Sequence, residues 1–165
     1  MRYFDRKFQE NKRQYIVQSL LAGFAVAFAL VFFDVVRQPV IIASFGASAF
    51  IAFTMPQREI SSPRRLIGGY LVGIVVGCLI HFLADIYNAN YMLDRIMTVI
   101  AGGTAVCLAV FLMTITDTEH APATSIALGL VINVWDLRTV LLIVAGISLI
   151  SAIQRVFRPR MMDLI

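Results

Sequence analysis

The residues best placed to do chemistry are a histidine, a proline and two hydroxyl side chains ahead of a short apolar run. They form the sequence HAPATS at 120–125, which leads into IALGL. A helix that begins inside a membrane leaves its first N–H groups unpaired, because lipid offers no water to satisfy them. An anion, or a polar ligand with acceptor oxygens, can satisfy these groups and is favoured by the helix dipole. The stretch therefore predicts a site for a small anion.

His120 has two interpretations at this position. It could donate to the anion or carry a coupling proton near its ordinary pKa of about 6.5. The alternative is an interfacial histidine that caps or packs a helix end. The acidic turn at 116–119, TDTE, is typical of N-terminal capping residues, although Asp117 and Glu119 could also tune the charge of His120.

A second stretch, SFGASA at 44–49, is the predicted partner in the first half of the chain. Ser48 would add a hydroxyl donor, while Gly46 and the alanines of the stretch permit close approach of a ligand. Arg64 and Arg65 are secondary candidates that could attract anions from the cytoplasm, although holding their loop inside is the default role of such residues. The predicted substrate-binding residues are Ser44, Gly46, Ala47, Ser48, His120, Pro122, Ala123, Thr124 and Ser125.

The elements that must position these residues are membrane helices. Hydrophobic residues make up 59% of the 165 residues and charged residues 15%, against about 45–50% and 25% in soluble domains. Mean hydropathy is +0.83. We predict an all-α membrane protein with a basic N-terminal segment at 1–14, a transmembrane domain at 15–153 and a basic tail at 154–165. Six apolar runs lie at 15–33, 40–55, 66–83, 96–115, 121–134 and 139–153.

The positive charges predict the orientation. With six crossings and an internal N-terminus, cytoplasmic segments hold 11 of the 14 Lys and Arg residues, and the outer segments hold only Arg37, Arg95 and Arg138. This bias favours two cytoplasmic termini in the cell inner (plasma) membrane; re-entrant short runs would weaken it. The net charge of +4 comes without a basic–aromatic stripe, so nucleic acid is not an expected partner.

The six runs divide into two groups of three, and an odd number inverts the second group relative to the first. Each half has a long run, a short run rich in small residues, and a run preceded by arginine. Short, Gly- or Pro-interrupted segments at matching positions are a pointer to a transporter site. We therefore predict two inverted three-helix repeats with short middle helices.

Gly69, Gly73 and Gly77 form a GxxxGxxxG face on the third run, which permits close helix packing. The contact could lie within one chain or join a homo-oligomer. We expect no metal site, since two histidines about 40 residues apart and two mid-span cysteines match no ligand spacing. We also expect no cofactor. The sequence has no GxSxG motif, no phosphate loop and no paired carboxylates within an apolar span, so we do not expect an enzyme.

Three stretches resemble the HPP family of small membrane proteins. SFGASA at 44–49 and SSPRRLIGG at 61–69 resemble the family's FGA-S/T-A and QPR-x-x-IGG elements, and HAPATS at 120–125 resembles its HPPAGA signature. Here Ala121 replaces the first proline, Thr124 replaces a small residue, and SPR replaces QPR. The resemblance implies a compact transmembrane domain, and nitrite transport has been associated with plastid and cyanobacterial members.

We expect a transporter or channel for a small anion that binds at the paired N-termini of the two short helices, nitrite-like by this resemblance. One alternative is a non-transporting scaffold or sensor subunit that uses the glycine face. Another is an exporter of organic acids.

Overall fold

The computed structural model describes residues 6–31, 39–87 and 94–165. Arg37 and most of the connection at 85–95 therefore lie outside the described residues. Within them the chain is helical and contains no strand. The helices are α1 (Arg6–Glu10), α2 (Lys12–Leu30), α3 (Pro39–Thr54), α4 (Pro63–Tyr87), α5 (Arg95–Ile115), α6 (Ala121–Ile132) and α7 (Leu137–Phe157), with short 3-10 turns at Glu59–Ser61 and Arg158–Arg160.

Polar residues between the apolar runs fix where the long helices begin. The Asp94 carboxylate accepts hydrogen bonds from the N–H groups of Ile96 and Met97 and so starts α5. Asp136 and Thr139 form a capping box at the start of α7, and the hydrogen bond from the Thr139 N–H is the main cause that lowers the pKa of Asp136. Local chemistry therefore accounts for both helix starts.

Four helical segments are long and apolar enough to cross a membrane: Lys12–Leu30, Pro63–Tyr87, Arg95–Ile115 and Leu137–Arg160. The other two apolar helices, α3 and α6, have 16 and 12 residues. At 1.5 Å per residue they are about 24 Å and 18 Å long, which is shorter than a hydrocarbon core of about 30 Å. The predicted contrast between long and short apolar segments is present.

The two short helices pack against each other in the middle of the bundle. α3 also packs on α2 and α7, while α6 also packs on α4 and α5, and α4 lies against both α5 and α7. Phe45 of α3 is fully buried and stacks on Tyr70 of α4, with ring centroids 5.7 Å apart. Exposed large apolar side chains cover the outer faces of α2, α4 and α5, as expected for helices that face lipid.

The glycine face of α4 packs on α6 of the same chain. A Cβ atom on Gly73 would lie 2.5 Å from the Ala123 carbonyl oxygen, and one on Gly77 would lie 2.9 Å from that of Ala127. Gly69 would place its Cβ 2.7 Å from the His120 Cβ. We expected this glycine face to pack either within one chain or between two chains, and the structure has the contact within one chain. A homo-oligomer would need a different surface, because these three glycines are buried.

The basic tail folds back onto the bundle. α7 continues to Phe157, and residues 158–165 then lie beside α2 and the α3–α4 connection. The buried Gln18 amide donates to the Met162 carbonyl and accepts from the Met162 N–H, while Leu164 N–H donates to the Thr54 carbonyl. The tail is therefore a packed part of the bundle end that also holds the start of α2.

A buried hydroxyl–histidine chain as the candidate site

Four polar side chains form a hydrogen-bonded chain at the centre of the bundle. Ser44 and Ser48 are one turn apart on α3, so both hydroxyls face inward. The Tyr70 hydroxyl lies 3.0 Å from Ser44 Oγ and 2.8 Å from Ser48 Oγ. His120 Nε2 lies 2.8 Å from Ser48 Oγ. All four residues are at most 2% exposed. Residues from α3, from α4 and from the start of α6 therefore form one hydrogen-bonded chain that is shielded from solvent.

The direction of the hydrogen bonds follows from counting protons. The Ser44 hydroxyl donates to the Ile41 carbonyl at 2.6 Å, so its single proton is used. Tyr70 must then donate to Ser44, and Ser48 must donate to Tyr70. His120 therefore donates its Nε2–H to Ser48, which assigns the tautomer of the neutral ring.

This tautomer leaves Nδ1 of His120 as a buried acceptor. Nδ1 has no hydrogen-bond partner among the described residues, and neither has Oε2 of the adjacent Glu119, whose contact with Arg65 is an ion pair at 3.2 Å. A buried polar atom without a partner costs about 1–3 kcal/mol. Nδ1 therefore marks the start of α6 as the place where a ligand that donates a hydrogen bond would be stabilised.

The stretch at 44–49 contributes differently from expectation. Gly46 and Ser48 were expected to belong to a helix start paired with that of α6, but α3 begins at Pro39, so both lie in its middle. Their N–H groups belong to the helix and are not free for an anion. Gly46 and Ala47 are exposed, and Gly46 lies on the opposite face of α3 from the two serines. Gly46 lines an apolar groove of about 350 Å³ between α2 and α3.

The stretch at 120–125 also offers fewer donors than expected. Pro122 has no N–H, and the Ala123 N–H donates to the His120 carbonyl. The Thr124 hydroxyl donates to the Ala121 carbonyl of its own helix at 2.7 Å, and Ser125 is half-buried. Pro122 and Ala123 are both buried, and Ala123 packs against the glycines of α4. Of this stretch, His120 alone joins the buried chain.

The start of α6 lies within the length of the neighbouring helices. His120 is level with Ser48, six residues before α3 ends, and with Gly69, six residues after α4 begins. At 1.5 Å per residue this depth is about 9 Å from the ends of the neighbouring helices. The His120 side chain is buried at this level, so hydrogen bonding to the protein decides the energy of its polar atoms.

Arg64 and Arg65 lie at the end of the bundle where α6 starts, and they form ion pairs with the 116–119 turn. Arg65 contacts Asp117 at 2.8 Å and Glu119 at 3.2 Å, and Arg64 contacts Asp117 at 3.4 Å. The expectation that Asp117 and Glu119 cap α6 is wrong, because His120 occupies the N-cap position without a capping bond. Asp117 instead adopts a φ of 54° and reverses the chain after α5.

Tyr70 is the residue that sequence reasoning missed. It links the two serines and stacks beside His120, with ring centroids 5.8 Å apart. The signal available was its spacing: Tyr70 directly follows Gly69 of the glycine face, in an otherwise apolar span. A tyrosine hydroxyl in that setting needs a partner on a neighbouring helix.

Comparison with known proteins gives the same assignment as the motifs. The chain matches two transmembrane proteins of Dictyostelium discoideum. One is 37% identical over 98 residues, which cover 59% of this chain and 32% of the relative; the other is 33% identical over 88 residues, which cover 53% and 26%. The matches thus span about a third or less of these relatives. No solved structure matches the chain. The family model described as the HPP transmembrane region matches residues 8–161, nearly the whole chain, so this multi-pass membrane protein belongs to the HPP family.

Proposed function

We propose that the protein moves a small anion across the membrane, as a transporter or channel, at a site built on Ser48, Tyr70 and His120. The observation that carries the proposal is the buried hydroxyl–histidine chain. Ionisable and polar groups within a membrane bundle are costly, and they commonly mark substrate or proton pathways. Nitrite is the proposed substrate class, as the family resemblance implies. No chemical turnover is part of the proposal.

The packing pattern supports two inverted three-helix halves with six crossings. Exchanging α2 with α5, α3 with α6 and α4 with α7 turns every packed pair of these six helices into another packed pair. For example, α4 against α6 becomes α7 against α3. A repeat related by a two-fold axis produces this property, and the axis would pass between the short helices. The site lies at that interface, where such transporters hold their substrates.

The distribution of charge supports two cytoplasmic termini in the inner (plasma) membrane. One end of the bundle joins the tail, the α3–α4 connection and the 116–119 turn, as shown by the bonds of Arg58 to Ile165 and Arg65 to Asp117. Ten of the twelve Lys and Arg residues among those described lie at this end, and only Arg95 and Arg138 lie at the other. This bias is the one that orients membrane proteins.

Reconstituted proteoliposomes test the function. Wild-type protein should take up nitrite faster than protein-free liposomes, and Ser48→Ala should lower that uptake about tenfold or more because the chain is cut between Tyr70 and His120. Ser151→Ala is the matched control, since Ser151 is an equally buried serine on α7 outside the chain. Uptake no faster than in protein-free liposomes would overturn the proposed function. Equal uptake by wild type and Ser48→Ala would overturn the site.

A further inference from the structure

We infer that each anion binds together with one proton held at His120 Nδ1, so that the site takes the donor-bearing form of a small weak acid. The inference rests on the proposed function and adds the coupling ion to it. One anion and one proton enter from one side and leave together on the other. The overall step therefore moves no net charge and breaks no bond other than those to the exchanging proton.

The first step of the argument is the hydrogen-bond count. Nε2–H of His120 is committed to Ser48, because the protons of Ser44, Tyr70 and Ser48 all point away from the ring. Nδ1 is then the only ring position that can exchange a proton with a ligand. Nδ1 is buried and has no partner among the described residues, so a ligand donor would satisfy it.

The second step is that a bare anion cannot satisfy this atom. A carboxylate-like or nitrite oxygen has only lone pairs, and Nδ1 in this tautomer also presents a lone pair. A proton must lie between the two, either on the acid oxygen or on Nδ1 as imidazolium. Both microstates contain the same atoms and carry the same total charge. The stoichiometry of one proton per anion is therefore independent of where the proton resides.

The third step is the charge around the site. From α4, Arg64 and Arg65 contribute two positive charges, but three carboxylates face them: Glu59 of the 3-10 turn, Asp117 and Glu119. Tyr70 is the other titratable group beside His120, and α3 contributes only serine hydroxyls there. The surrounding formal charge is thus +2 − 3, or −1. This cluster attracts protons and disfavours an unaccompanied anion.

Proteoliposomes containing a pH-sensitive dye test the coupling. Nitrite uptake by wild-type protein should acidify the lumen in proportion to the nitrite taken up, increase as external pH falls, and be unaffected by an imposed membrane potential. Protein-free liposomes measure leakage of the undissociated acid. His120→Gln keeps a side-chain N–H for Ser48 but replaces the basic Nδ1 with an amide oxygen that cannot take up a proton, so uptake driven by a pH gradient should fall at least tenfold. His81→Gln, the other histidine, should behave like wild type.

The outcomes separate the two proposals. Nitrite uptake that follows the membrane potential and leaves lumen pH unchanged overturns the proton coupling and leaves transport standing. Absence of uptake above the protein-free level overturns both. Wild-type coupling in His120→Gln overturns the assignment to His120.

Nitrogen NMR of the histidine rings in wild-type protein gives a second measurement that does not depend on flux. We expect a protonated Nε2 and a bare Nδ1 for His120 without ligand, and either a protonated or a hydrogen-bonded Nδ1 after nitrite is added. A His120 spectrum that nitrite leaves unchanged, as a water held at Nδ1 would give, contradicts the inference.

Discussion

The two short helices, α3 and α6, occupy matching places in the bundle but serve the site in different ways. α3 presents its middle: Ser44 and Ser48 project from one face into the hydroxyl–histidine chain, and the helix continues past them in both directions. α6 presents its start, since His120 precedes the first helical residue and reaches across to Ser48.

The difference shows what a hydroxyl needs in order to contribute to a buried site. Ser48 bonds to side chains on two other helices, whereas the Thr124 hydroxyl bonds to a carbonyl of its own helix. Small residues also differ in use. Gly46 on α3 borders open space, while Ala123 and Ala127 on α6 lie directly against glycines of α4. Similar compositions therefore encode a site wall in one helix and a packing surface in the other.

The largest expected effect comes from closing the space that α6 needs. In Gly73→Ala the new Cβ would lie 2.5 Å from the Ala123 carbonyl oxygen, and a backbone atom cannot move aside alone. Overpacking of this kind costs about 1–3 kcal/mol and can cost more. We expect a clear drop in the thermal midpoint of the purified protein and a disturbed position of His120.

Gly46→Ala is the matched control, because a Cβ there meets no atom within 4 Å. Its thermal midpoint should equal that of wild type or rise slightly, since alanine favours helix over glycine. Equal effects of the two substitutions would show that α3 and α6 are packed alike, which would contradict the comparison.

The next effect separates the two hydroxyls. Ser48→Ala leaves Nε2–H of His120 and the Tyr70 oxygen without their common partner, at a cost of about 1–3 kcal/mol. Thr124→Ala removes a bond within its own helix and should change stability by less than about 0.5 kcal/mol. Chemical denaturation in detergent would measure both. If Thr124→Ala lowered stability as much as Ser48→Ala does, the hydroxyls of the two stretches would have equivalent roles, which would contradict the comparison.

Much of the candidate site could be predicted because its signals are local. The serines and histidine stood out by residue type in apolar surroundings. The spacing of Ser44 and Ser48, four residues apart, also predicts a shared helix face, with Gly46 facing elsewhere. The prediction that Gly46 belongs to a helix start is wrong because α3 starts seven residues earlier at Pro39, a residue well suited to a first helical turn.

The remaining contacts could not be predicted, because they join residues far apart in sequence. Tyr70 meets Ser48 over 22 residues, and Arg65 meets Asp117 over 52. The partner of a buried hydroxyl or a charge depends on which helices become neighbours, and periodicity does not fix this. The fold class and the short apolar segments were within reach because segment length and hydropathy are properties of consecutive residues.

The smallest effect concerns how the start of α6 is held from outside. Arg65 is 22% exposed and forms ion pairs with both Asp117 and Glu119. Arg64 is 67% exposed and forms an ion pair with Asp117 alone among these two carboxylates. Exposed ion pairs contribute about 0–1 kcal/mol, so Arg65→Gln should lower the thermal midpoint slightly and Arg64→Gln hardly at all. Salt near 1 M shortens electrostatic range to about 3 Å and should shrink the gap between the two variants. If the difference in thermal midpoint between the two variants persisted in high salt, Arg65 would act through packing of its aliphatic part. The start of α6 would then be held by close packing, as it is at the glycine face, and not by charge.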